Sequence, residues 1–422
     1  MPARSLWRRH ANRIFIWNYP IVELMRINAD LHIHSKYSAA VSRDMDLPEI
    51  AREAKKKGVG IVGTGDCLHL KWLQGIKALP ESDGLFNLDG TRYALTVEVE
   101  DSHRVHHLII LPDVAKAMEL REKFAGRTTT LDSDGRPKLH MNGAEIADVV
   151  VDAGGLIGPS HAFTPWTGMY ASYRSLRECY QEHADRVTFI ELGLSADTDY
   201  ADRIAELSTK TFLSNSDAHS PRSNKLAREF NQLEIQNLGY EDLRYALTRE
   251  KGRRVTLNVG FYPEEGKYNQ TACTRCYRQY TALKMDELQG RCPACGGQIK
   301  LGVKDRVASL ADFAEPVHPD HRPPYLHLIP LAEIIAMALG IKSALAVGVQ
   351  RRWNELVDGR TEIEVLMNAE LSELKAEPKV IEAIEAFRNG KVVVKPGGGG
   401  KYGEVTLPEQ SVSREQKRLF DF

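Results

Sequence analysis

The chain lacks an excess of charge of either sign. Its 56 Lys and Arg residues nearly balance 57 Asp and Glu residues, and the formal net charge of the 422 residues is −1. Contact with a polyanion must therefore rest on local basic patches. The chain also lacks an apolar run long enough to cross a membrane, because Asn18, Pro20 and Glu23 interrupt its N-terminal aromatic stretch.

Cysteine is scarce as well, and its placement is specific. Four of the six cysteines form two Cys-x-x-Cys pairs, Cys273 with Cys276 and Cys292 with Cys295, separated by 15 residues. In a long chain without a secretory signal this favours metal over disulfides and a cytoplasmic protein. Thiolates at this spacing form the two knuckles of a tetrahedral structural zinc site. We therefore expect a zinc-ribbon module.

Arginine and tyrosine side chains accompany these cysteines. Arg275, Arg278 and Tyr280 lie within the predicted module. Such basic and aromatic groups suit contact with a nucleic-acid strand. A purely structural ribbon explains the same residues, and the sequence leaves both interpretations open.

The rest of the chain alternates buried strands, polar strand ends and helices. This rhythm, repeated about six times, is typical of an α/β fold, either a β/α barrel or a doubly wound sheet. In a barrel, functional residues gather at the carboxyl ends of the strands. The predicted strands cover residues 29–35, 59–64, 93–100, 106–111, 154–161, 187–192 and 212–219.

The first of these strands carries two histidines, His32 and His34, which alternate with Leu31 and Ile33. They share one face and could hold one metal ion, although a polar strand face explains them equally well. Further candidate ligands follow at later strand ends, which favours a shared metal cluster. A mixed His, Asp and Glu shell suits zinc or manganese better than magnesium. The candidates are His32, His34, Asp66, Glu98, His107, His161, Asp217 and His219.

These motifs resemble the polymerase and histidinol phosphatase (PHP) superfamily. The segment from Gly158 to Trp166, the four cysteines and a glycine-rich stretch near residue 400 are similar, over about residues 26–422, to the archaeal endonuclease Q family within it. The resemblance implies a distorted β/α barrel that carries two or three divalent metal ions (zinc, manganese or magnesium). It implies a DNA repair endonuclease that cuts 5′ of deaminated bases (uracil, hypoxanthine, xanthine) and abasic sites.

The resemblance also assigns ligands. It implies that His32, His34, Glu98 and Asp217 hold one ion, that Glu98 bridges to a second ion bound by His107 and His161, and that Asp66 and His219 serve a third. Many family members have histidine where this chain has Asp66, so the third ion is the least supported. Strand alternation allows only His106 or His107 to face inward, and we prefer His107. Asp217, Glu98 and His161 are the expected catalytic residues.

Three aromatic residues follow the predicted ligand His161. Phe163, Trp166 and Tyr170 lie on a loop rich in Thr, Pro and Gly. An enzyme that inspects a base takes it out of the stack and holds it by stacking and edge hydrogen bonds. We expect the three to line the pocket for the damaged base. The alternative is that the three aromatic side chains only cover one end of the barrel and contact no base.

Six regions are predicted from these patterns. Residues 1–25 form an N-terminal extension, with Met25 as a possible start, and 26–260 form the PHP catalytic domain. Residues 261–305 form the zinc ribbon, 306–392 a helical domain and 393–410 a glycine-rich tail. In 411–422, Gln416, Leu419 and Phe422 share one face of a helical turn, which resembles the motif that docks on the sliding clamp, PCNA. We expect a monomer.

Two other functions fit parts of this pattern. A small-molecule phosphoesterase of the histidinol phosphatase type would share the metal cluster, but a small substrate needs neither a zinc ribbon nor a clamp motif. A DNA-binding or clamp-binding scaffold with an inactive metal site would need those modules alone. The nearly complete ligand set argues against it.

Substitution of Asp217 by asparagine is expected to abolish cleavage while the protein stays folded. The amide removes the charge but keeps the shape of the side chain. Nicking of lesion-containing DNA and circular dichroism measure the two properties. Retained cleavage would remove Asp217 from the mechanism.

Overall fold

The computed structural model describes residues 24–408, whose strands form one large sheet and three two-stranded sheets. The strands are β1 Met25–Asp30, β2 Ile61–Gly63, β3 Glu81–Ser82, β4 Leu85–Leu88, β5 Thr91–Glu100, β6 His106–Leu111, β7 Leu156–Pro159, β8 Phe189–Glu191, β9 Thr211–Leu213, β10 Phe230–Ile235, β11 Arg254–Gly260, β12 Ala272–Cys273, β13 Ile299–Lys300, β14 Tyr325–His327, β15 Val393–Lys395 and β16 Glu404–Thr406.

Within this part of the chain, helices connect the strands of the large sheet and also follow its last strand. They are α1 Leu47–Lys57, α2 Leu70–Lys77, α3 Val114–Ala125, α4 Gly143–Asp152, α5 Met169–Ser172, α6 Leu176–Tyr180, α7 Thr198–Ala201, α8 Tyr240–Thr248, α9 Ala282–Glu287, α10 Val303–Leu310, α11 Leu331–Leu339, α12 Val347–Leu356, α13 Glu362–Met367 and α14 Pro378–Arg388. The last four of these helices, α11 to α14, follow the last strand of the large sheet in the chain. Short 3-10 helices include Gly193–Ser195 and Pro263–Glu265.

The large sheet curls into a distorted barrel. Its order runs β14-β11-β10-β1-β2-β5, and β5 continues through β6 to β7. Strands β1, β2 and β5 are parallel, whereas β5, β6 and β7 pair antiparallel. Strand β7 lies beside the parallel pair of β8 and β9. The predicted α/β fold, with a four-cysteine module and C-terminal helices, is confirmed.

One isolated β-bridge, Ile33 with Ala218, and a set of side-chain hydrogen bonds join the ends of β1 and β9, which share no strand ladder. The Asn231 amide donates to Ser214 O at 2.9 Å and to Asn215 Oδ1 at 3.0 Å, and its oxygen accepts from Ser214 N at 2.8 Å. Asn215 Oδ1 accepts from Leu31 N at 2.9 Å, and Asp30 accepts from Ser216 N at 3.0 Å. All these groups are buried, so the bonds hold together the two strand ends that carry His32 and Asp217.

Two apolar layers cover the two faces of the barrel strands. Leu31, Ala94, Leu108 and Phe189 belong to one cluster, into which α8 packs. Residues on the opposite face of the strands, such as Val97 of β5, pack in a larger cluster with the surrounding helices. Since successive side chains alternate between the faces of a strand, each strand here is buried on both sides.

The C-terminal region packs back onto the barrel. Lys57 of α1 and Glu362 of α13 form a buried ion pair with Nζ and Oε1 2.6 Å apart. The predicted glycine-rich tail forms the hairpin of β15 and β16, which lies against the segment before the zinc module. No helix within residues 24–408 is both long enough and apolar enough to cross a bilayer.

Substitution of Asn231 by alanine is expected to lower the free energy of unfolding by about 3 kcal/mol, because it leaves several buried backbone and side-chain groups without partners. Chemical denaturation measures the change. Alanine at the exposed Asn389 is the matched control and should alter stability little. Equal effects of the two changes would contradict the role assigned to Asn231.

Candidate metal centre and substrate cavity

His32 and His34 follow directly after the end of β1, and a carboxylate orients each ring. His32 Nδ1 lies 2.8 Å from Glu191 Oε2, and His34 Nδ1 lies 3.1 Å from Asp66 Oδ1. A carboxylate on one ring nitrogen places the proton there and leaves the other nitrogen as a free electron-pair donor. The Nε2 atoms of both residues are buried and have no hydrogen-bond partner.

These two free nitrogens point at two further carboxylates. His32 Nε2 and His34 Nε2 lie 3.6 and 3.4 Å from the Glu98 oxygens. His34 Nε2 lies 3.1 Å from Asp217 Oδ1, which is also buried without a hydrogen-bond partner. Buried nitrogen and oxygen lone pairs that converge in this way fit a divalent cation.

The side chain of Glu98 lies at the centre of the cluster. His106 Nδ1 and His161 Nε2 lie 2.9 and 3.0 Å from Glu98 Oε1. Three groups of candidate ligand atoms result, with every atom of a group within 4.8 Å of the others, and these residues would hold the ions. The groups are His32, His34 and Glu98; Glu98, His106 and His161; and His34, Asp217 and His219.

His106, and not His107, faces the cluster, so the predicted choice of His107 is wrong. In the antiparallel pair of β5 and β6, Glu98 lies opposite Leu108, and His106 is on the same face as Leu108. His107 lies on the other face, where its Nδ1 is 2.7 Å from the Tyr180 hydroxyl and its Nε2 3.3 Å from Asp101.

Asp66 orients a ligand instead of serving as one, contrary to the predicted third-ion role. Besides His34 Nδ1, its carboxylate accepts from Ser35 N at 2.6 Å and Ser38 Oγ at 2.9 Å. These three contacts engage both carboxylate oxygens, and none of the candidate ligand groups among the described residues includes Asp66. His219 does approach the cluster, together with His34 and Asp217.

Three of these residues have a left-handed backbone. The φ angles are +51° at Asp66, +30° at His161 and +47° at Asp217. Non-glycine residues in this region are strained and persist where their surroundings over-determine them, most often at functional sites. Gly193 supplies the space at His161, since a Cβ atom on Gly193 would lie 2.5 Å from that of His161.

The electrostatics favour positive charge at the cluster. Burial lowers the pKa of His32, but the carboxylates of Glu191 and Glu98 outweigh it and raise this pKa to about 9. Burial raises the pKa of Glu98, yet His106 and His32 hold it well below the usual range. For Asp217 the contact with His34 likewise prevails over burial, and its pKa is lowered. The carboxylates therefore stay ionised.

A cavity of about 660 Å³ opens above the cluster. Trp166 lines it, 46% exposed, with its ring 4.7 Å from that of Tyr268 and 5.1 Å from the Lys300 ammonium. The prediction that Phe163 and Tyr170 line the same pocket is wrong, because they stack on each other in the core, 4% and 1% exposed. The lining also includes Arg104, Arg136, His161, Asp217, Lys267 and Tyr402.

Sequence reasoning missed three residues of this site. Glu191 ends β8 in the same way as the predicted ligands end their strands, so its position was a usable signal. His106 was passed over for its neighbour. Arg136 donates from Nη1 to Glu98 Oε2 at 3.2 Å, and no motif marks the loop from which it reaches the site.

The four cysteines form a second, separate cluster. Their sulfur atoms lie within 4.8 Å of one another, with Cys273 and Cys295 3.5 Å apart and Cys276 and Cys292 3.6 Å apart. A tetrahedron of sulfurs at zinc–sulfur distances of about 2.3 Å has edges of about 3.8 Å. The thiols therefore fit one structural zinc ion. The Tyr280 hydroxyl, 3.0 Å from Cys292 Sγ, helps to lower the pKa of that thiol to about 6.

Comparison with known proteins finds relatives over nearly the whole chain. The family model described as the MJ0043 C-terminal domain matches residues 330–391. The uncharacterized protein MJ0043 of Methanocaldococcus jannaschii is 45% identical over 268 residues, which are 61% of this chain and 33% of that protein. The chain thus spans about a third of the length of that relative.

Two crystal structures match more completely. The lesion-specific endonuclease PfuEndoQ of Pyrococcus furiosus is 45% identical, with a TM-score of 0.87 over 92% of this chain and 97% of that one. The chain belongs to the endonuclease Q family. An endonuclease Q complex with a 27-mer duplex bearing an abasic lesion matches at 45% identity, with a TM-score of 0.86 over 92% and 98% of the two chains.

Membership of the endonuclease Q family assigns this chain to the PHP superfamily and to the phosphodiester hydrolases that act as DNA endonucleases. The cluster around Glu98 lies at the strand ends, where a barrel fold holds its active site. The predicted clamp motif, with Gln416, Leu419 and Phe422, lies outside the described residues. So does nearly all of the predicted extension 1–25.

Affinity for Mn²⁺ is expected to rise with pH up to about 9, since an imidazole must lose its proton to bind a metal and the pKa of His32 is raised to about 9. If His32 had an unperturbed pKa, the affinity for Mn²⁺ would level off nearer pH 7.5. Isothermal titration calorimetry between pH 6 and 9 measures the rise.

The matched variant for this experiment is Glu191→Gln. It keeps an acceptor for His32 Nδ1 but removes the negative charge, so the affinity should level off at a lower pH. The plateau affinity should fall about tenfold, as is typical when a partner of a ligand is altered. A pH profile that is the same in both proteins would contradict the assignment.

Proposed function

We propose that the chain cuts the phosphodiester backbone 5′ of deaminated bases (uracil, hypoxanthine and xanthine) and at abasic sites. The observation that carries the proposal is that one cavity is lined both by an aromatic side chain and by candidate metal ligands. A partly exposed tryptophan, Trp166, lines a cavity whose wall also includes the ligand candidates His161 and Asp217. A flipped nucleotide held there would bring its phosphate beside the cluster.

Cavity size and charge support this substrate class. A volume of about 660 Å³ is in the range of pockets that enclose small organic ligands. Arg104, Arg136 and Lys267 line it and place positive charge where a DNA backbone would enter. A cut at the flipped nucleotide would then depend on damage to the base, since mismatched or damaged bases leave the stack most readily.

We also propose two divalent ions, zinc, manganese or magnesium, at the groups that share Glu98. A third ion would use His34, Asp217 and His219. Ions held there would lower the pKa of water and stabilise negative charge on phosphate oxygens. Asp217, ionised and 30% exposed in its side chain, would orient the attacking water by accepting a hydrogen bond. Arg136 would hold the Glu98 carboxylate in place.

The sliding clamp is a further proposed partner. Gln416, Leu419 and Phe422 would dock as one turn of helix in an apolar groove. Deletion of residues 411–422 should abolish binding to PCNA in surface plasmon resonance and leave nicking of short duplexes unchanged. Unchanged binding would refute this partner.

An end-labelled duplex with one deoxyuridine, deoxyinosine or abasic residue tests the function. Incubation with Mn²⁺ or Mg²⁺ should give one product that ends on the 5′ side of the lesion, and Asp217→Asn should give none. Histidinol phosphate turnover without nicking would favour a small-molecule phosphoesterase. Lesion binding without turnover of either substrate would favour a scaffold.

Substitution of Trp166 by alanine is expected to weaken binding of lesion-containing DNA about tenfold, the scale of one lost base–aromatic stack. The side chain is 46% exposed, so the melting temperature should change little. Fluorescence anisotropy and calorimetry measure the two quantities.

Phe163 provides the contrast for this experiment. It lies near Trp166 along the chain but is 4% exposed. Phe163→Ala should therefore lower the melting temperature markedly. A Trp166 variant that binds the lesion as tightly as the parent protein would exclude Trp166 from the pocket.

A further inference from the structure

The glycine-rich hairpin presents an exposed aromatic residue at the entrance of the cavity. Tyr402 lines the cavity from the hairpin side and is 68% exposed, whereas Trp166 lines it from the barrel side. Tyr402 lies on the short turn that joins β15 to β16. Most of the Tyr402 ring is therefore accessible to a molecule that enters the cavity.

The turn that carries Tyr402 is rigidly anchored by its backbone. Gly397 N donates to Glu264 O at 2.8 Å, and Gly397 O accepts from Gln270 N at 2.9 Å. Gly400 N donates to Lys267 O at 2.8 Å, and Gly403 N donates to Glu265 O at 3.0 Å. These bonds cross to the segment that precedes the zinc module, so the hairpin and this segment form one rigid platform.

Close packing explains the run of glycines. A Cβ atom on Gly397 would lie 2.5 Å from Gly403 N, and one on Gly399, at φ +65°, would lie 2.3 Å from Cys273 O. A Cβ atom on Gly403 would lie 2.4 Å from Glu264 O. The glycines therefore let the turn press against the zinc module. Their role is to fix the turn, and the phenol is the chemical group that the turn exposes.

Positive charge surrounds this aromatic ring. The Lys267 ammonium lies 5.6 Å from the centres of both the Tyr402 and the Tyr268 rings. The exposed Lys401 precedes Tyr402 in the chain. An aromatic ring among cationic side chains suits a base stack flanked by phosphates, since every base offers a π face.

We propose that Tyr402 is a wedge that inserts into the duplex and fills the gap left by the flipped nucleotide. This inference rests on the proposed function. Removing a base from the stack costs free energy, and proteins that distort DNA commonly insert a side chain between base steps. The anchored turn would hold the wedge on one side of the cavity while Trp166 receives the extruded base on the other.

The test compares duplex and single-stranded DNA that carry the same deoxyuridine. Tyr402→Ala should reduce nicking of the duplex about tenfold, the scale of one lost base–aromatic stack. It should leave single-stranded DNA unaffected, because no helical stack remains to be opened. Tyr402→Trp should restore duplex nicking. Tyr277→Ala is the matched control, since Tyr277 is 47% exposed on the zinc module outside the cavity lining.

A fluorescent 2-aminopurine next to the lesion reports the opening step itself. The parent protein should increase its fluorescence, and Tyr402→Ala should not. Equal duplex nicking by Tyr402→Ala and the parent protein would overturn the wedge. An equal loss on both DNA forms would also overturn it and indicate a general strand contact. Failure of the parent protein to nick any lesion would refute the proposed function instead.

Discussion

The buried charge of Glu98 is the constraint on which the site depends. An ionised carboxylate that is 1% exposed costs several kcal/mol unless cationic or donor groups surround it. Five side chains from four segments of the chain do so here. The same arrangement would give a divalent ion a central anionic ligand. The surrounding side chains are His32, His34, His106, His161 and Arg136.

The barrel supplies the rigidity that this arrangement requires. The strained left-handed backbone at His161 and Asp217 persists only where the surrounding structure fixes its conformation. The amide of Asn231 and the carboxylate of Asp30 provide such surroundings, because they join strand ends that share no ladder. Glu191 and Asp66 then fix the rings of the two first histidines. Scaffold stability and ligand geometry are thus coupled through buried hydrogen bonds.

Three distant segments of the chain meet at the cavity above the cluster. The loop with Trp166, the segment with Tyr268 and the hairpin with Tyr402 are joined through ring contacts and backbone bonds. The zinc module packs against the hairpin, where Gln279 Nε2 donates to Pro396 O at 3.1 Å. The four-cysteine module and the glycine-rich hairpin thus lie together at one side of this cavity.

The sequence by itself determined the α/β fold class, the strand ends that carry the candidate ligands and the four-cysteine pattern, because each depends on local periodicity or spacing. Only the tertiary structure decided between His106 and His107. Residues 108–111 are apolar throughout and buried on both faces, so no alternation marks the inner one. Likewise, Asp66 and Glu191 became orienting groups, and Tyr402 reached the cavity, through contacts between residues far apart in sequence. Strand register and barrel closure together set the distances between such residues.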